Sequence, residues 1–222
     1  MSSTVFIAVI FAAIIHSIWN GMIKKQDDKY IALVALVLGH VPLSIIVLFF
    51  TPIISIKSIP YIFISAIFLA GYEWCLLSAY RLEDYTKIYP IARGSAPIFI
   101  VIFSLLFFSI NISKFELTGI ILISLGIIIL SFQNFKTIKN YSAIFYAIAT
   151  GFFISCYSIT DGFGGRVSFS PLNYTAWLMI FNASVTFPLL LIIMKKTDAL
   201  KKVFTKGRKI FFVGGPLSYT AY

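Results

Sequence analysis

Six stretches of the chain, 1–23, 30–56, 94–113, 117–135, 140–160 and 167–194, contain no Asp, Glu, Lys or Arg. A helix needs about 20 consecutive apolar residues to cross the hydrocarbon core of a bilayer, and each stretch can supply them. A seventh, 58–80, qualifies with a single interruption at Glu73. Lipid offers no partner to backbone N–H and C=O groups, so runs of this kind fold as helices that satisfy themselves. The expected fold class is therefore all-α, a polytopic membrane protein. Its helices are expected at about 4–23, 31–50, 60–80, 87–109, 116–133, 141–161 and 171–194. An eighth apolar run opens at Ile210 and reaches Tyr222 after 13 residues, which reads as a truncated span.

Composition excludes the other classes. The chain is 59% hydrophobic and 12% charged, against about 25% charged for a soluble domain. A soluble enzyme, a disordered chain and a disulfide-stapled secreted domain are all ruled out. The net charge of +10 would suggest nucleic acid in a soluble protein. Here most basic residues occupy short loops, so no nucleic-acid partner is expected. Fourteen of them fall in the first, third, fifth and seventh loops and three in the others. The positive-inside rule then puts the odd loops in the cytoplasm. Cys75 and Cys156 lie in apolar spans without disulfide or metal-ligand spacing, and no cofactor or metal is expected.

The chain repeats itself weakly. His16-Ser17-Ile18-Trp19-Asn20-Gly21 recurs as Tyr157-Ser158-Ile159-Thr160-Asp161-Gly162, an offset of 141 residues. The same offset carries the second span onto 172–191, where the seventh span lies. The repeat unit then holds five helices, and an odd number inverts the second copy. Inverted repeats are a signature of secondary transporters that bind substrate near the midplane.

Ionisable groups inside a membrane are costly and need a reason. Glu73 lies ten residues before Glu83, the expected centre of the turn between helices three and four, and Arg93 ten after it. In an antiparallel hairpin the two share a depth of about 15 Å from the turn. They form either a buried ion pair that fixes packing or a site for a charged substrate group or a proton. Arg93 lies in Tyr89-Pro90-Ile91-Ala92-Arg93-Gly94-Ser95-Ala96-Pro97. Pro90, Gly94 and Pro97 are expected to break or kink that helix. His16, Trp19 and Asn20 fall on one helical face, and Tyr157, Thr160 and Asp161 repeat it. Such faces would line a cavity for a small amphipathic metabolite. The run from Asp161 to Arg166 holds three glycines and is expected to end helix six. His40 reads as a packing residue.

At these residues the chain resembles EamA-like members of the drug/metabolite transporter superfamily. The resemblance rests on Ala12-Ala13 through Gly21 with Lys24, on Tyr72-Glu73-Trp74-Cys75-Leu76, on Tyr89 through Pro97, and on Tyr157 through Arg166. It implies ten helices in two inverted five-helix repeats. Residues 1–137 would form the first repeat, and 138–222 an incomplete second. It also implies export or exchange of small metabolites, often amino acids, without ATP hydrolysis. Trp19, Glu73, Tyr89, Arg93 and Asp161 carry over as motif positions, and Tyr72 belongs to the second motif. Family members usually carry a Glu near the end of helix four, where Asn111 stands here. They are also often described with cytoplasmic termini, against the charge count.

The reading is a secondary transporter working by alternating access, not an enzyme, in the plasma membrane. Its partners are a small-molecule metabolite, the lipid bilayer and, in a homodimer, a second copy. Glu73, Arg93, His16, Trp19, Asn20, Tyr72, Tyr89, Tyr157 and Asp161 are the candidate substrate- or proton-binding residues. Two alternatives stand beside it, a truncated and inactive transporter and a seven-helix receptor. A retinal-type receptor is disfavoured because helix seven has no lysine before Lys195.

Overall fold

The computed structural model describes residues 3–107, 112–135, 138, 140–194 and 198–222. Asn111 and several loop lysines (Lys136, Lys139, Lys195 and Lys196) lie outside the described residues. Among those described there is no strand. The helices are α1 (Ser3–Lys25), α2 (Lys29–Phe49), α3 (Ile59–Leu82), α4 (Tyr85–Phe107), α5 (Lys114–Phe135), α6 (Tyr141–Val167), α7 (Pro171–Met194), α8 (Ala199–Thr205) and α9 (Gly215–Thr220). A 3-10 turn, Ile56–Ser58, leads into α3, and a π-helical turn, Ile210–Gly214, leads into α9.

Among the described residues, six helical segments are long and apolar enough to cross a membrane: Ser3–Lys25, Lys29–Phe49, Ile56–Leu82, Tyr85–Phe107, Tyr141–Val167 and Pro171–Ile193. The chain is an all-α, multi-pass integral membrane protein. The seventh expected span is α5, a helix of 22 residues; its side chains at 128 and 130–135 lie outside the described residues. Its start is a capping box. Glu116 accepts from the Ser113 backbone N–H at 2.9 Å, and the Ser113 hydroxyl accepts from the Glu116 N–H at 3.2 Å. Asp28 caps α2 by accepting from the N–H groups of Tyr30 and Ile31.

Two sequence expectations are corrected. The glycines after Asp161 do not end α6, which runs on to Val167. Glycine ends helices where water competes for their last carbonyls, and a bilayer offers no such competitor. Gly164 serves close approach instead, because a Cβ there would collide with the Tyr174 ring of α7. Nor do Pro90, Gly94 and Pro97 break α4, which is continuous from Tyr85 to Phe107. What survives of that expectation is chemical. Each proline withholds one N–H, so the carbonyls of Thr86 and Arg93, four residues upstream, lose their usual helical donor.

The chain packs as two compact units, one of residues 1–66 and 164–222, the other of 67–163. In the first, α2 packs along α7 and against the segment 210–220. Asn173, at the start of α7, donates from Nδ2 to the Thr51 hydroxyl (3.0 Å) and the Pro52 carbonyl (2.7 Å), just past the end of α2. The two helices are therefore antiparallel. At the opposite end Gln26 donates to the Lys206 carbonyl at 3.2 Å, so the first and seventh loops lie together.

The second unit is built on small residues. Ala143, Ala147, Gly151 and Ser155 form a buried stripe at four-residue spacing along α6. Ala79 of α3 and Ile88, Ile91 and Ala92 of α4 share a core with Ala143 and Ala147. Such stripes let membrane helices approach closely. The α3–α4 turn is Glu83-Asp84, as the sequence suggested. The Glu83 side chain, 7% exposed, takes Lys87 Nζ at 3.1 Å and the backbone N–H of Asn140 at 3.2 Å. It thus ties the hairpin to the start of α6. Replacing Glu83 by Ala removes the acceptor that joins the two and leaves Lys87 the more distant Asp84 carboxylate at 3.9 Å, which is expected to cost about 1–3 kcal/mol. Thermal unfolding in detergent checks this, and an unchanged midpoint would show that the tie adds nothing.

Candidate functional site

The expected site residues divide between the units. Tyr72, Glu73, Tyr89, Arg93, Tyr157 and Asp161 all belong to the second, and there they converge. Tyr85, Tyr89 and Arg93 recur every four residues and form one stripe on α4. The Tyr85 and Tyr89 rings stack at 4.8 Å with 17° between their planes. The Arg93 guanidinium carbon lies 5.4 Å from the Tyr89 ring centroid, within cation–π range. From α3, Tyr72 meets Tyr157 of α6 edge-on at 5.8 Å. Arg93 and Glu73 both act electrostatically on Tyr72 and on Tyr157, and Asp161 acts on Tyr157 from one turn further along α6. The polar surroundings of Arg93 include Tyr72, Tyr89 and Tyr157. Glu73 is 6% exposed.

The helices bring these groups together for identifiable reasons. A Cβ at Gly151 would strike the Ser95 hydroxyl and lie 3.0 Å from the Ala92 carbonyl. The missing side chain is what lets α6 lie against α4 beside Arg93. On α3, Gly71 gives room to the Phe153 ring of α6. The result is one guanidinium and two carboxylates among tyrosine hydroxyls. A guanidinium has five donors in a fixed fork and suits a carboxylate or another planar anion. Carboxylates and tyrosine faces suit an ammonium group. These groups match the chemistry of a small molecule that carries both.

His16, Trp19 and Asn20 belong to α1 in the first unit. They share a face as expected. The His16 and Trp19 rings meet edge-on at 4.7 Å, and Asn20 Nδ2 donates to the His16 carbonyl at 2.7 Å. Trp19 Nε1 is buried and has no hydrogen-bond partner among the described residues.

Two tyrosines that no sequence motif marks join this group. Tyr80 and Tyr85, whose rings lie 5.0 Å apart, extend the tyrosine stack toward the turn. Glu83 closes its end. The four-residue spacing of Tyr85, Tyr89 and Arg93 was the available signal. The short α8 was also missed, although Asp198 and Lys202, joined at 2.7 Å, lie one turn apart in the sequence.

A family model described as the EamA-like transporter family matches residues 2–132, more than half of the chain. No curated protein and no solved structure matches it.

Proposed function

The chain belongs to the EamA-like transporter family of the drug/metabolite transporter superfamily, and from that premise we propose that it is a secondary transporter for a small zwitterionic metabolite such as an amino acid, acting in the plasma membrane. The observation that carries this reading is the convergence of Arg93, Glu73 and Asp161 on shared tyrosines. Arg93 would take the substrate carboxylate, while Glu73 and Asp161 with Tyr72, Tyr89 and Tyr157 would take its ammonium group. His16, Trp19 and Asn20 are proposed as polar substrate- or proton-binding residues of the first unit.

The helix positions support an inverted repeat. Shifted by 141, α1 covers 144–166 and α2 covers 170–190, against observed helices Tyr141–Val167 and Pro171–Met194. The family match ends at residue 132, near the proposed boundary at 137. Two such repeats rocking about a central site give alternating access.

Counterflow of labelled amino acids into proteoliposomes containing the chain tests the reading. Accumulation above protein-free vesicles is expected for at least one of them, and none for a carboxylate of similar size that lacks the amine. Glu73→Gln is expected to raise the half-saturation concentration for the zwitterion roughly tenfold, the loss of one charged hydrogen bond at about 1.5 kcal/mol. Equal uptake of amino acid and amine-free acid by the wild type would remove the ammonium site from the proposal.

A further inference from the structure

The first unit has a polar core of its own, away from the Arg93 group in the sequence and in a different compact body. His40 in α2 is 5% exposed, Ser44 one turn on is 0% exposed, and Tyr219 in α9 is 8% exposed. Among the described residues, neither ring nitrogen of His40 has a hydrogen-bond partner, nor has the Tyr219 hydroxyl. The Ser44 hydroxyl is spent on the His40 carbonyl at 2.9 Å, and Tyr219 lies beside Ser44. A neutral imidazole carries one N–H donor and one bare nitrogen acceptor, on different sides of the ring. Two unmet ring positions and one unmet phenol in a single apolar core call for a guest that both donates and accepts. Water has that chemistry, and polar buried sites with two to four partners hold it.

The backbone around His40 is also unusual. Gly39 faces the Phe211 carbonyl, and its own backbone would lie 2.6 Å from a Cβ at Gly215. The segment that crosses it contains the π-helical turn Ile210–Gly214. Single π turns widen a helix locally and cluster at functional sites.

We propose that His40 is a proton-binding site in the core of the first unit, supplied by internal water that it shares with Tyr219. The elements packed against α2 are α1, α7, α8 and the segment 210–220. Their titratable groups are His16, Lys24 and Lys25 on α1, Tyr174 on α7, Lys201 and Lys202 on α8, and Tyr219; α2 itself adds Lys29 and Tyr30. None of these elements contains Asp or Glu. Lys29 lies eleven residues from His40, about 16 Å along the helix, so no fixed cation of α2 opposes a proton at His40. No carboxylate of these elements traps the proton either. Water and the Tyr219 hydroxyl hold it, which makes uptake reversible, as a coupling site requires. The site is independent of what the Arg93 group carries.

The test reads the ring directly. His16 and His40 are the two histidines of the chain, so His16→Gln leaves one imidazole to follow by nitrogen-15 NMR in lipid nanodiscs. At pH 7.5 the His40 ring is expected to be neutral and to exchange magnetisation with water. On acidification to pH 4 the bare ring nitrogen should gain a proton reversibly, so that both nitrogens carry one, while circular dichroism keeps its helical amplitude. Tyr219→Phe is expected to move the titration midpoint by half a pH unit or more. If His16→Gln does not fold, the His40→Gln spectrum identifies the His40 signal by subtraction. A ring that stays wholly neutral at pH 4 in a helical chain, or that never contacts water, overturns the proposal. An unmoved midpoint in Tyr219→Phe overturns the shared water.

Discussion

Arg93→Gln is expected to lower substrate binding roughly a hundredfold, with Arg93→Lys in between. The glutamine keeps a hydrogen-bonding amide but loses the cation and most of the five-donor fork. Each charge-assisted hydrogen bond to a bound carboxylate contributes about 1.5–3 kcal/mol, and every 1.4 kcal/mol is a factor of ten. Lysine restores the charge as a point donor and forfeits both the planar fork and the stacking on the Tyr89 ring 5.4 Å away. The order wild type, lysine, glutamine therefore separates recognition by geometry from recognition by charge alone. Removing Arg93 also leaves Glu73, 6% exposed, without a nearby cation that bears on the same tyrosines. A loss of fold could then imitate a loss of binding. The double variant Arg93→Gln with Glu73→Gln removes both charges at once and is expected to recover the melting temperature but not the counterflow. If Arg93→Gln transports labelled amino acid as the wild type does, the guanidinium does not hold the substrate, and the ion-pair reading of Arg93 replaces the binding one.

Sequence alone reached the helices because bilayer length and backbone satisfaction leave few choices. The stretches free of charge became helices whose ends moved by only a few residues, except that α6 runs six residues past its expected end at 161. The turn at Glu83 followed from the same logic. The tyrosine partners were visible as residue types, but their convergence depends on how close α4 and α6 come. That distance is set by the absent side chain of Gly151, and it is not written in any motif. Rules taken from water misled at two places. Glycines after Asp161 and prolines around Arg93 end helices where solvent can take over the freed backbone groups. In α6 and α4 the apolar surroundings keep the helix going, and the same residues serve close packing and free carbonyls instead. His40 reads as packing because an apolar span surrounds it, and only the three-dimensional core reveals that its ring nitrogens have no partner among the described residues.

The distance between α4 and α6 gives the second large expected effect, at a residue that touches no substrate. Gly151→Leu must push α6 away from α4, because its Cβ meets the Ser95 hydroxyl, the Ala92 carbonyl at 3.0 Å and the Ala96 N at 3.1 Å. Two of these are backbone atoms and cannot swing aside. Overpacking of this kind costs about 1–3 kcal/mol, and more where nothing can yield. The same displacement carries Tyr157 away from Tyr72 and Arg93, so counterflow is expected to fall at least tenfold even in the fraction that folds. Gly119 in α5 is the contrast, since a Cβ there meets nothing within 4 Å. Gly119→Ala is expected to leave transport intact and to raise stability by up to about 1 kcal/mol through helix propensity alone. A rescue sharpens the argument. Gly151→Ala combined with Ser95→Gly removes the nearest obstacle and leaves the Ala92 carbonyl, so it should recover part of the stability that Gly151→Ala loses alone, a coupling that double-mutant analysis measures. If Gly151→Leu melts and transports like the wild type, α4 and α6 do not need this contact, and the tyrosines around Arg93 owe their convergence to something else.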